Sequence, residues 1–179
     1  MKFITHLFFG VFVYLIMTAF GAPSSLIYFA IILVSSLFPD IDSPNSKISN
    51  QNIITKGASF VINKTAGHRG IVHSILGATI FGTIVFGISY YLGNWWYGIY
   101  AVSGYLAHLI SDMFTVAGEA LLYPFSKVKF RGIVRTGGFS EVVFLVAILV
   151  LCYFLMDDPL HFFSWKLNLA DWLKSALWI

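Results

Sequence analysis

Apolar residues gather along this chain in five blocks, roughly 3–20, 24–38, 71–92, 95–117 and 141–156. Gly21-Ala22-Pro23 breaks the first block from the second, so the two read as a tight apolar hairpin. Gly93-Asn94 separates the third from the fourth and is followed by Trp95, Trp96 and Tyr97, a cluster typical of a membrane interface. The third and fourth blocks are long enough for a hydrocarbon core of about 30 Å at about 1.5 Å per residue. The first, second and fifth are shorter and suit tilted, half-inserted or internally packed helices. The segment 160–179 mixes Trp165, Leu167, Leu169, Trp172 and Leu173 with Lys166, Asp171 and Lys174, which predicts an amphipathic helix on a surface. The pattern therefore predicts an all-α fold, a polytopic membrane helical bundle of about five apolar helices plus a C-terminal amphipathic helix.

Composition agrees with that picture. The chain is 58% hydrophobic and only 11% charged, whereas soluble domains carry about 25% charged residues. Its 179 residues suit a single integral membrane domain, 1–179, with membrane lipids as its surroundings. The lone Cys152 excludes a disulfide framework or a thiolate metal site and reads as a small core hydrophobe. A net charge of +3 is too small and dispersed to suggest nucleic acid. If each block crosses once, Lys2, Lys47, Lys56, Lys64, Arg69, Lys127, Lys129, Arg131 and Arg135 share one face. The positive-inside rule makes that face, with the N-terminus, cytoplasmic. Lys2, the first block and Ala19-Phe20-Gly21-Ala22 also resemble a signal peptide, but a second apolar block follows within three residues.

Against this apolar background His6, Asp40, Asp42, His68, His73, His108 and Asp112 stand out, in a chain with only eight Asp+Glu and five His. Ionisable groups at membrane depth are costly and mark function. In the five-helix topology all seven approach the same face. His108 and Asp112, spaced i,i+4, project from one side of a helix, as two ligands of one ion or as a ligand and its orienting carboxylate. Asp40 and Asp42 flank Ile41 in a turn after Pro39, so both carboxylates can bracket a cation. A helix C-terminus otherwise disfavours acids. His68 and His73 diverge on a regular helix and converge only if His68 precedes the first turn, as Gly67 and Gly70 permit. Imidazoles and carboxylates without thiolates fit Zn²⁺, with Mn²⁺ or Fe²⁺ as alternatives. Seven donors exceed one zinc's needs, which implies two ions or donors that orient the ligands instead. Arg69 is placed to grip a phosphate oxygen or, equally, to reach an interface. Glu119 is an accessory acid of low weight.

Thr5-His6-Leu7, Phe38-Pro39-Asp40-Ile41-Asp42-Ser43-Pro44, His68-Arg69-Gly70-Ile71-Val72-His73 and Ala107-His108-Leu109-Ile110-Ser111-Asp112 resemble motifs of the YdjM-type family. These are bacterial inner-membrane proteins described as LexA-regulated, membrane-bound metal-dependent hydrolases. The resemblance covers about residues 5–125, and one departure is Val72, where threonine is the family's residue. The family is distantly related to zinc-dependent phospholipases C. The resemblance therefore implies an inner-membrane enzyme that hydrolyses a phosphoester or lipid head group at the cytoplasmic face. Asp40 or Asp42 would orient the attacking water, and Arg69 would stabilise charge on the phosphate oxygens. A non-catalytic metal-stabilised scaffold draws on the same ligands. A transporter would spread its polar groups through the membrane midplane, which these residues do not do.

Overall fold

The computed structural model describes residues 1–42 and 70–156. They form five helices: α1 (Phe3–Ala19), α2 (Leu26–Leu37), α3 (Ile75–Tyr91), α4 (Trp96–Met113) and α5 (Phe139–Leu155). Short 3-10 turns occupy Phe38–Asp42 and Ile71–His73. Among the described residues the only extended pairing is two isolated bridges, Thr115 with Val134 and Glu119 with Phe130. The chain is all-helical, as expected.

The membrane-spanning part of that expectation is overturned. Among the described residues no helix is long and apolar enough to cross a membrane, so these helices do not form a polytopic bundle of full spans. The first four apolar blocks are longer than the helices they contain. The third yields 71–73 to a 3-10 turn and gives α3 a cap at Ser74, whose hydroxyl accepts from Gly77 N–H at 3.2 Å. The 17 residues left in α3 span roughly 26 Å. The 12 residues of α2 span roughly 18 Å. α4 has 18 residues but includes Ser103, His108, Ser111 and Asp112. The expected C-terminal amphipathic helix at 160–179 falls outside the described residues.

α4 is the hub, packed on α1, α2 and α3, while α1 also packs on α2 and α5. Gly104 explains how α2 and α4 come so close. A Cβ there would lie 2.4 Å from the Ile32 carbonyl oxygen and 3.1 Å from Ser36 N, so any side chain would push the helices apart. Phe9, Tyr14, Leu15, Ile32, Tyr100, Ala107, Ile148 and Cys152 fill the core between α1, α2, α4 and α5. Cys152 is a buried packing residue there.

One end of the bundle gathers the start of α1, the end of α2, the start of α3, the end of α4 and the start of α5. Glu141, in the first turn of α5, ties that end together. Its carboxylate accepts from Lys2 N–H at 2.6 Å, Thr5 Oγ1 at 2.8 Å and Gly137 N–H at 2.5 Å. Burial alone would raise its pKa; those three donors hold it below the usual value instead. The clamp fixes the first turn of α1, which carries His6. The outer surface is rich in exposed large apolar residues, among them Phe20, Tyr90, Tyr91, Ile133, Phe139 and Phe154.

Candidate metal centre

Five of the seven expected donors meet at this end. His6 comes from the first turns of α1, Asp40 from the turn after α2, His73 from the turn before α3, and His108 and Asp112 from the last turns of α4. Among the described residues two groups present ligand atoms within 4.8 Å of one another: His6, Asp40 and His108, and His73, His108 and Asp112. Expectations placed on His68, Arg69 and the Asp42 side chain fall outside the described residues. Glu119 belongs to neither group; it is buried, and its backbone pairs with Phe130.

His108 sits in the middle, fully buried. Its ring stacks on His6 with centroids 3.9 Å apart and 12° between planes, and meets His73 edge-on at 5.2 Å. Its Nδ1 lies 2.8 Å from the Ser36 carbonyl oxygen, which only accepts, so Nδ1 carries the proton and Nε2 a lone pair. His6 is set in the same way. Ser111 Oγ donates to the His108 carbonyl at 2.8 Å, leaving its oxygen to accept from His6 Nδ1 at 2.8 Å. His6 Nε2 is buried and makes no hydrogen bond. Fixing one ring nitrogen so that the other faces inward is the usual way proteins orient a metal-binding histidine.

The separations have the size of a coordination shell. His108 Nε2 and His73 Nε2 are 3.3 Å apart, and His6 Nε2 and Asp112 Oδ1 are 3.4 Å apart. Two ligands on a tetrahedral ion with bonds of about 2.05 Å lie about 3.3 Å from each other. Asp40 Oδ1 and Asp112 Oδ2 stand further from His108 Nε2, at 3.9 and 4.0 Å. Both donor groups draw on the single lone pair of His108 Nε2, so the arrangement suits one ion better than two.

Electrostatics favour the metal-competent protonation states. Burial pushes the His6 pKa well below its ordinary value, and the neighbouring His108 adds to this. Burial also lowers His108, against the opposing pull of Asp40. Both are therefore neutral near pH 7. Burial would raise Asp112, but charge on its neighbours His6, His108 and the amino terminus outweighs it and holds the carboxyl low; with both rings neutral near pH 7, the amino terminus is the cation left beside it. The Met1 amino group pairs with Asp112 Oδ1, so a cation already sits against that oxygen.

His73 depends on the short turn that carries it. Tyr105 Oη donates to the Val72 carbonyl, and Ser74 Oγ donates to the Ile71 carbonyl at 2.6 Å. Gly77 lets this turn fold back onto α3: a Cβ there would lie 2.3 Å from the Ile71 oxygen. Ser36, Ser111, Tyr105 and Glu141 all position donors, and none was singled out from the sequence. Ser111 had a local signal, three residues after His108 and so on the same helix face. Replacing Ser111 with alanine leaves His6 Nδ1 without its acceptor. Metal affinity should fall roughly 10–100-fold in a chelator competition assay; unchanged affinity would remove Ser111 from this role.

A family model described as YdjM inner membrane protein matches residues 1–176. Uncharacterized protein YvsG of Bacillus subtilis (strain 168) is 36% identical over 124 residues, covering 68% of this chain and 73% of YvsG. Inner membrane protein YdjM of Escherichia coli (strain K12) is 35% identical over 99 residues, covering 51% of this chain and 46% of that protein. Inner membrane protein YdjM of Shigella flexneri gives the same figures. The match thus spans about half the length of these two relatives. No solved structure matches the chain significantly.

Proposed function

The chain belongs to the YdjM inner membrane protein family, and from that premise we propose that it is a membrane-bound, metal-dependent hydrolase of phosphoesters or lipid head groups. One observation carries the reading: three histidines and two aspartates from four separate segments present their donors to one another, with His6 and His108 locked so that Nε2 faces inward. Zn²⁺ fits this nitrogen and oxygen set best, with Mn²⁺ or Fe²⁺ next. When bound, such an ion supplies Lewis acidity and an acidified water.

The residues then divide the work. His6, His73, His108 and Asp112 are almost fully buried and would hold the ion. Asp40 is the most open of the five donors, with 21% of its side chain exposed, so solvent reaches its carboxylate. Its carboxylate takes the proton of the attacking water as the oxygen bonds to phosphorus. The bond from phosphorus to the leaving oxygen breaks, that oxygen takes a proton from solvent water, and Asp40 returns its own proton to solvent. The same end carries Lys2, Lys127, Lys129, Arg131 and Arg135, whereas the opposite turns, 20–25 and 92–95, have no basic residue.

The deep burial of four donors also favours a second reading, a metal that only stabilises the scaffold. The full chain, purified in detergent, should hold about one zinc-class ion by elemental analysis. It should cleave a member of a phosphodiester and phospholipid panel, lose that activity on chelation and regain it on metal return. Metal-free protein whose folding is indifferent to chelators would end both readings. Bound metal with no hydrolysis across the panel would select the scaffold.

A further inference from the structure

α2 and α3 both pack on α4, and between them runs a groove of about 630 Å³. One wall is Ile27, Ile31, Val34 and Phe38; the other is Phe81, Val85, Ile88 and Leu92. Both walls follow the spacing i, i+4, i+7, i+11, which aligns four side chains on one helix face. The small Ala101 of α4 forms part of the floor. Among the described residues no charged one lines the groove, and the Ser89 hydroxyl in its wall donates to the Val85 carbonyl at 2.6 Å. Ser35 and Tyr97 bring the other two hydroxyls, and the rest of the lining is apolar.

Dimensions and position narrow the occupant. From Ile27 to Phe38 the α2 wall extends roughly 16 Å, close to half of a hydrocarbon core of about 30 Å. The two helix walls of the groove and the small Ala101 in its floor make a long, narrow trough that seats a slender chain along its length. The groove ends at Phe38 and Phe81, whose rings are 4.8 Å apart. Two residues beyond Phe38 is Asp40. Phe81 packs on Tyr105 at 4.8 Å, and the Tyr105 hydroxyl holds the turn that bears His73. The groove therefore ends beside the segments that carry Asp40 and His73, in a chain that belongs to an inner membrane protein family.

We propose that this groove seats one acyl chain of a membrane phospholipid and so presents its head group to the metal centre. The head-group half rests on the hydrolase reading above; the acyl-chain half stands on the groove alone. Together they assign the substrate class as a long-chain phospholipid in place of a soluble phosphoester.

The test uses the full chain in phosphatidylglycerol–phosphatidylethanolamine nanodiscs containing a phospholipid with a diazirine on its acyl chain. After irradiation, labels should concentrate on Ile31, Val34 and Val85, several times above Val143 and Phe154 on α5, which are also exposed. Ala30 lines the groove and is exposed, so Ala30→Trp should fill it without disturbing the core. That variant should lose groove labelling and keep α5 labelling, with an unchanged melting temperature. Turnover of a long-chain phospholipid should fall about tenfold or more, as expected when about two CH₂ groups lose their burial. Turnover of bis(p-nitrophenyl) phosphate should stay unchanged. Equal labelling of α2, α3 and α5, or a protein–protein cross-link through the groove, overturns the proposal. If the wild type cleaves neither compound but the groove labels selectively, the hydrolase reading fails and the acyl site survives. If both turnovers respond alike to Ala30→Trp, the link between groove and centre falls.

Discussion

Replacing His108 with alanine is expected to empty the centre, taking bound metal from about one ion per chain to a trace. His108 is common to both donor groups, so no subset of the remaining residues reproduces either. Its loss should cost more than the roughly 10–100-fold expected for a hydrogen-bond partner of a ligand. Two further penalties accompany it. The Ser36 carbonyl loses its donor, which costs about 1–3 kcal/mol in a buried site, and the stacked His6 ring loses its neighbour. Part of the destabilisation comes from lost metal, because binding free energy adds to folding free energy. Thermal unfolding with and without chelator separates the terms. Wild type should drop towards the variant once stripped, and the variant should not respond. A variant that keeps its metal would show that the ion lies elsewhere.

The second large effect is expected at Asp40, with the opposite signature. Asparagine retains an oxygen donor and nearly the same shape, but it takes no proton at pH 7. If Asp40 is the base, turnover should fall about 10²–10⁴-fold, the usual range for removing one. Metal content and melting temperature should stay close to wild type. His108→Ala removes metal and activity together; Asp40→Asn should remove activity alone. Loss of metal in step with activity would make Asp40 a structural ligand, and undiminished turnover would move proton transfer to another group. The distinction rests on exposure: Asp40 is open to solvent on one side, whereas Asp112 is 1% exposed.

How much of this was legible in the sequence depended on distance along the chain. His108 and Asp112 announce a shared helix face, because i,i+4 spacing is a local property. The Phe38–Asp42 turn was legible for the same reason, as proline followed by spaced acids at the end of an apolar block. The Ser36–His108 contact was not, since it joins a carbonyl to a ring 72 residues away through a helix crossing set by Gly104. Nor was the Glu141 clamp, which reaches Thr5 across 136 residues. The spanning expectation erred for a physical reason as well. Hydropathy counts apolar residues wherever they fall, but Ser74 restarts the helix and α4 closes at Phe114, where the backbone begins pairing with Val134.

The hub position of α4 bears on how the protein comes into being on the ribosome. Synthesis runs from the N-terminus at about 5–20 residues per second, so His6 and Asp40 emerge long before His108. The helix that brings the donors together is the fourth of five, and about a hundred residues separate the first donor from the last. For roughly 5–20 s the nascent chain holds an incomplete ligand set with no scaffold to gather it. On the reading proposed above, metal acquisition would be tied to the arrival of α4, and a chain truncated before Trp96 would carry only His6, Asp40 and His73 of the five gathered donors. On that reading, loading of the ion would be a late event in biogenesis, and stalled or broken chains would pass through the cell without it.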